Sequence, residues 1–521
     1  MSVSSSVTVP GSSGSTVTVA VGTGDVLHLA TQIGALLATV SGAGNLVTTS
    51  VTSGPIPAAL GTTPPQVNYL LLTGALSGTQ TVPTGYQDVV DAATGVHTLS
   101  GSNVALIGGT LGGAFNVTGN STVAAEGGNN TITASGTYLI STANGNELIN
   151  ANGAGTVATG IGTSTVTASG TGTSIQSQGT GDLIISTSGT NSVTAAGANT
   201  GVLGGTGALA VLIAGNAATV SAGAATTNVT AAGSNALIFG GTGALNLFNS
   251  GANTEVVTFA SNATINSAGA SAAIFGGSGT SNITISGANT SVLGGSGAST
   301  ITASSNAVVF GGSGPLSFVG GVGTATVVGN YASTGGTEQV TVGAGGVVFS
   351  ANANNTSTVQ SGAGHTTLFG GSNSNVTFTG TGSSAILVGA GGNETLNAAG
   401  STASNIFSGG GLSGNVVMIG GSAADTMFAG NGSDTLTGGA GNNIFAFFKV
   451  ATAGGHDVVT DFNANDSVYL IGYSTVQSAS TLQNAAVINS SGVTLTLSDN
   501  TQITFTGLTS ASTLNGHILY G

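Results

Sequence analysis

Residues 193–238 read VTAAGANTGVLGGTGALAVLIAGNAATVSAGAATTNVTAAGSNALI, and every ninth position from the first is β-branched and apolar: Val193, Val202, Val211, Val220, Val229 and Ile238. The same step runs back through Ile184, Ile175, Val166, Val157 and Leu148 to Leu139. It runs forward through Leu247, Val256, Ile265, Ile274, Ile283, Val292, Ile301, Phe310 and Val319 to Val328. All 22 positions are large and apolar in a chain that is 40% hydrophobic, so coincidence does not produce the series. A unit this short has room for one strand and one corner, the signature of a stacked repeat.

Glycines add a second period of twice that length, at Gly197, Gly215, Gly233, Gly251, Gly269 and Gly287. Two nonamers therefore make one coil, and equivalent positions of successive coils stack one strand spacing away, about 4.8 Å. The pattern predicts an all-β fold: a parallel β-solenoid, of the β-roll or β-helix kind, with 18-residue coils. Val193, Val211 and Val229 point inward on one sheet. Ile265, Ile283 and Ile301 form one internal ladder, and Ile274, Val292 and Phe310 the facing one. Glycine supplies the positive φ of the corners, having no Cβ to clash. Phase is lost near Thr337, Thr358 and Asn405 and recovered at Val340, Leu368 and Leu396, so bulges or short loops are expected there.

Six of the seven prolines lie between Pro10 and Pro83, where the nine-residue step is indistinct. Residues 1–95 thus read as a small N-terminal region that caps the first coil or docks a neighbour. Within it Val26, Leu29, Ile33, Leu36, Leu37 and Val40 follow helical spacing behind Asp25, a suitable N-cap, so one short helix is expected.

Composition narrows the function. The 521 residues include 92 Gly, 15 acidic residues, one Lys and no Arg, for a net charge of -14. A nucleic-acid partner is excluded, because phosphate binding needs a basic footprint. Disorder is excluded too, since disordered chains are poor in apolar residues. Cys is absent, which removes disulfides and thiolate chemistry. No apolar run reaches the roughly 20 residues of a membrane-spanning helix, so no transmembrane segment is expected. The opening MSVSSSVTVPGSSG lacks the basic and apolar regions of a secretory signal, so an export address is expected elsewhere.

Residues 420–445, GGSAADTMF-AGNGSDTLT-GGAGNNIF, resemble the calcium-binding nonamers of RTX proteins, whose pattern is G-G-x-G-x-D-x-U-x with U large and apolar. Gly420, Gly421, Asp425 and Met427 fit the first repeat, with Ala423 in place of a glycine. Gly430, Gly432, Asp434 and Leu436 fit the second. Gly438, Gly439 and Gly441 fit the third, where Asn443 stands for the Asp. The resemblance implies Ca2+ as the bound ion, with carboxylates from Asp425 and Asp434, a neutral oxygen from Asn443, and carbonyls from the turn residues Gly421, Ala423, Gly430, Gly432, Gly439 and Gly441. Calcium prefers six to eight oxygens, which such corners supply. The corresponding sixth positions of central nonamers are Leu245, Ser281, Ser299 and Leu316, so the centre is expected to be metal-free.

The stretch GGHDVVTDFNANDSVYLIGY, residues 454–473, resembles the segment that follows the last RTX nonamer in type I secretion substrates. It implies export driven by the C-terminal region without N-terminal cleavage. The chain then divides into residues 1–95, a metal-poor solenoid at 96–410, an RTX-like β-roll at 411–447, and a C-terminal cap and targeting region at 448–521.

An enzyme is not expected. Polysaccharide lyases and epimerases on such scaffolds stabilise developing carboxylate charge with Arg, Lys or a metal, and this chain has only Lys449. His28, His97, His365, His456 and His517 show no zinc-ligand spacing. Ice binding would use Thr-x-Thr rows such as Thr131-Ile132-Thr133, Thr165-Val166-Thr167 and Thr300-Ile301-Thr302, but neighbouring coils break the row. The preferred reading is a secreted structural protein that self-associates outside the cell as a filament, biofilm-matrix fibre or surface layer. Its partner is itself, with cell-surface polysaccharide a second candidate. An adhesin is the alternative, weakened by the absence of Trp and by only seven Tyr.

Overall fold

A computed structural model of the chain describes residues 5–11, 14–21, 25–61, 63–108, 111–125, 127–331, 336–381, 383–410, 414–451, 455–473 and 478–521. It is a parallel β-solenoid with two helices among the described residues, one of them short. The chain forms two compact units, Met1–Ala263 and Thr264–Gly521.

In the first unit most strands pair in parallel with the next strand but one, so that alternate strands build two faces, and the long strands Thr131–Thr142 and Leu148–Ala158 run through both. One internal ladder runs through Leu70, Val89, Leu106, Val123, Ile140, Val157, Ile175, Val193, Val211, Val229 and Leu247. The facing ladder runs from Leu99 and Phe115 through Ile132, Ile149, Val166, Ile184, Val202, Val220 and Ile238 to Val256. Every one of these side chains is buried. Val193, Val211 and Val229 are stacked as expected. Parallel pairing reaches back to Leu46–Val51 on Val67–Gly74, well inside the proline-rich segment.

The helix Asp25–Gly42 lies against the outside of the first coils. It packs with an antiparallel hairpin, Ser5–Pro10 on Thr16–Val21, and the shared core joins Val9, Val21, Leu29, Ile33 and Leu37 to Leu71, Val90, Ile107 and Ala124 of successive strands. These strands can carry apolar residues on their outer side because the helix covers them. Leu36 is exposed rather than buried, and the Asp25 side chain, expected as the N-cap, lies outside the described residues. At Gly34 an added Cβ would overlap Val7 Cγ1, so glycine there sets how closely helix and hairpin approach.

In the second unit one ladder comprises Ile283, Ile301, Phe318, Val340, Val359 and Phe378; Leu396 then stacks on Val376, two residues before Phe378, and is followed by Met418, Leu436, Val459 and Phe505. The other comprises Ile274, Val292, Val309, Val327, Phe349, Leu368, Leu387, Phe407, Met427, Phe445, Val468 and Ile518. Val340, Leu368 and Leu396 do return to the core. The expectation for Phe310 is corrected: Val292 pairs with Val309, and Phe310 pairs with Leu293 on the outside, 45% exposed. That coil is one residue shorter than two nonamers, as is the next, where Ile301 meets Phe318 and Val319 faces outward. Leu139 and Leu148 are displaced likewise, because Ile140 and Ile149 fill the core of coils that are shortened in the same way. The nine-residue step therefore falls on buried positions without a break only from Val157 to Ile301.

The corners need a second correction. Gly215, Gly233 and Gly251 do not have positive φ. A Cβ at each would overlap the carbonyl oxygen of the glycine one coil earlier, so glycine is required by close stacking of backbones. The left-handed residues sit two positions later, at Asn199, Ala217, Asn235, Asn253, Ser271 and Asn289, with φ between 55° and 58°. Asn tolerates this conformation because its short side chain bonds locally, and here Asn253 Nδ2 also donates to Asn235 Oδ1 at 3.3 Å.

Candidate metal centre

The RTX-like segment supplies short strands, Val416–Ile419, Thr426–Phe428, Thr435–Thr437 and Ile444–Phe448, separated by glycine-rich corners. The sixth residue of each nonamer is the last before its strand, which turns its side chain into the corner. Asp425, Asp434 and Asn443 are accordingly each 1% exposed.

Each carboxylate closes its own turn and grips the previous coil. Asp425 Oδ2 accepts from the Gly421 N–H at 2.7 Å, while Oδ1 accepts from the Asn405 N–H at 2.6 Å. Asp434 Oδ2 accepts from Gly430 N–H and Oδ1 from Val416 N–H, both at 2.7 Å. Asn443 repeats half of the arrangement, its Oδ1 accepting from the Asp425 N–H at 2.9 Å. Burial pushes the Asp425 and Asp434 carboxyls up, and these backbone bonds pull them partly back down.

The three residues do not converge on one point. Thr426–Phe428 pairs with Ile444–Phe448, whereas Thr435–Thr437 pairs with Val416–Ile419 and His456–Val459. Asn405, Asp425, Asn443 and Asp466 thus form one column, linked by successive N–H bonds, the last from Asn443 N–H to Asp466 Oδ1 at 2.8 Å. Asp434 and Asp457 form another, where Asp434 N–H donates to Asp457 Oδ1 at 3.0 Å. Burial, and the charge of Asp434, push the Asp457 carboxyl up to about 7. Among the described residues no three acidic or His side chains cluster as a ready ion cage.

Asp457, Asp461 and Asp466 were missed as candidates in the sequence. Gly455-His456-Asp457 repeats the spacing of Gly432-Ser433-Asp434, and that was the available signal. Asp461 clamps the Gly438 and Gly439 N–H groups with its two oxygens at 2.8 and 2.7 Å. Turn residues stack by corner: a Cβ at Gly439 would meet the Gly421 carbonyl, one at Gly441 the Ala423 carbonyl, and one at Gly455 the Gly432 carbonyl. The Gly421 carbonyl is engaged by the Ala440 N–H at 3.0 Å.

The donor set fits a hard divalent cation: carboxylates, an amide oxygen and glycine carbonyls, with no sulfur and no imidazole among the nonamer candidates. Asp425 and Asp434, in separate columns, would each hold an ion through lone pairs not used by the N–H bonds. The bound ion supplies positive charge against buried carboxylates that lack a cationic partner.

No helix among the described residues is long and apolar enough to cross a membrane. No curated protein and no solved structure matches the chain. The sequence model of the family described as RTX calcium-binding nonapeptide repeat (4 copies) matches residues 419–446, the corners that carry Asp425, Asp434 and Asn443. By that match and this geometry, residues 419–446 are RTX-type calcium-binding nonapeptide repeats built into the solenoid.

Proposed function

We propose that this is a secreted structural protein that self-assembles outside the cell, with calcium ordering its C-terminal end. The observation that carries the reading is where the charges lie. Of the 15 acidic residues, Asp88, Asp91, Glu147, Asp182, Glu338, Glu394, Asp425, Asp434, Asp457 and Asp466 are buried. From residue 264 to 433 the only charged side chains are Glu338, Glu394 and Asp425, all inside. Soluble monomers keep apart through interspersed surface charge, and this exterior of Ser, Thr, Asn and apolar residues offers no such repulsion. Short side chains also lose little rotamer entropy on packing.

Export would place the corners in calcium-rich surroundings, where ion binding adds to folding free energy. The segment 448–521 is the proposed type I secretion region, tested by fusing it to a reporter and following export. Assembly is tested by sedimentation and electron microscopy of the full chain in calcium and in chelator. Ordered particles that loosen on chelation are expected. A stable monomer at high concentration with calcium present overturns the reading and favours the adhesin.

A further inference from the structure

The two outer faces of the second unit differ. On the face outside the Ile274 ladder, one outward column is Phe275, Leu293, Phe310 and Val328, followed after Ser350 by Phe369 and Val388. The neighbouring column places Val308, Val348, Ile386, Ile406 and Ile444 beside it, with Thr326, Thr367 and Thr426 between. Phe310, Phe369, Val348 and Ile386 are each 40–45% exposed. The opposite face carries Thr300, Ser317, Gln339, Thr358 and Thr377 in one column, and Thr302, Val319, Thr341, Gln360 and Thr379 in the other.

We infer that the apolar face of the second unit is a lateral docking surface for the same face of a second copy of this chain. The inference deepens the self-assembly reading and rests on it. Contiguous apolar surface on this scale marks an interaction site. A charged protein gains no complementarity from it, because no charge lies on these columns. A lipid surface is disfavoured as well: interfacial binding draws on Lys, Arg and Trp, and the chain has one Lys, no Arg and no Trp. What the face matches is another ladder with the same strand spacing. From Phe275 to Ile444 it spans about 43 Å at about 4.8 Å per strand and about 13 Å across each strand. That is about 550 Å² per copy, or about 1,100 Å² for a face-to-face pair, just above the roughly 1,000 Å² that a specific interface needs. A two-fold pair buries the same patch on both copies and leaves the hydroxyl faces outward.

The test uses the full chain in calcium. Leu293→Lys with Ile386→Lys puts a cation on the apolar face, and Thr300→Lys with Thr358→Lys does so on the hydroxyl face as a charge-matched control. Sedimentation equilibrium should show at least tenfold weaker pairing for the first double variant and unchanged pairing for the second, with both keeping the wild-type melting temperature within a few degrees. Because the chain has no Cys, Phe310→Cys labelled with pyrene provides an independent readout: excimer emission is expected, and none from Thr300→Cys. Wild-type assembly that ignores the apolar-face lysines, or excimer only from the Thr300 label, overturns this surface while leaving self-assembly standing. A wild-type monomer overturns both.

Discussion

Asn443 and Asp425 stand one coil apart in the same column, and Asn443 Oδ1 receives the Asp425 N–H at 2.9 Å, as Asp425 Oδ1 receives the Asn405 N–H at 2.6 Å. An amide and a carboxylate thus perform the same backbone task, and only the carboxylate adds charge for an ion. The third repeat departs from the RTX pattern without losing its corner. Its turn adjusts through Gly439 at φ 82°, whose carbonyl lies 3.5 Å from Asn443 Nδ2.

Replacing both carboxylates separates the two tasks. Asp425→Asn with Asp434→Asn should stay folded but lose calcium stoichiometry by isothermal titration calorimetry. Asp425→Ala with Asp434→Ala should lose the same ions and also leave buried N–H groups unpaired, at about 1–3 kcal/mol for each unsatisfied group. Calcium stoichiometry unchanged in both pairs would remove these residues from the site.

Stability should fall as pH rises through the range set by buried carboxyls outside the metal segment. Burial raises Glu147 from 4.5 to about 7, opposed in part by bonds from Asn130. The protonated form is favoured in the fold, so its contribution is complete below pH 4.5 and is lost as pH rises through 7. The effect is about 3 kcal/mol at most. Urea unfolding from pH 4.5 to 7.5 should show this slope, and Glu147→Gln should flatten it; an unchanged slope in the variant contradicts the assignment.

Core register predicts a contrast between two nearby phenylalanines. Phe318 is 1% exposed in the ladder, so Phe318→Ala should cost about 3–5 kcal/mol through lost burial and a cavity. Phe310→Ala, on the outer face, should change monomer stability by well under half of that. A larger cost at Phe310 than at Phe318 in denaturant would restore the uncorrected nine-residue register, and equal costs would contradict the observed one.

Corner chemistry predicts opposite signs for two substitutions. Gly233→Ala drives a methyl into the Gly215 carbonyl and should destabilise by about 1–3 kcal/mol as backbones shift. Ala217→Gly relieves a left-handed residue at φ 56° and should stabilise by about 1 kcal/mol. Thermal melting of both variants checks the pair.

What the sequence by itself determined is the repeat: the nine-residue step, which the core keeps between Val157 and Ile301, the two-sheet solenoid, and the corner position of Asp425 and Asp434. These were legible because a strand and its corner are local, and a large residue recurring at one position in every turn has one interior to fill. Tertiary structure decided the rest. A coil that loses one residue still closes, provided the neighbouring residue enters the core, so Val309 replaces Phe310 by packing that no single nonamer encodes. Whether a glycine turns the chain or only lets two backbones touch depends on the coil beside it, as Gly215 and Gly197 show. Asp457 and Asp466 join the carboxylate columns because strands separated by more than two nonamers, Thr435–Thr437 with Val458 and Ile444 with Ser467, are brought into register. The helix Asp25–Gly42 finds its place only because Leu71, Val90, Ile107 and Ala124, distant along the chain, align into one apolar row that water would otherwise meet.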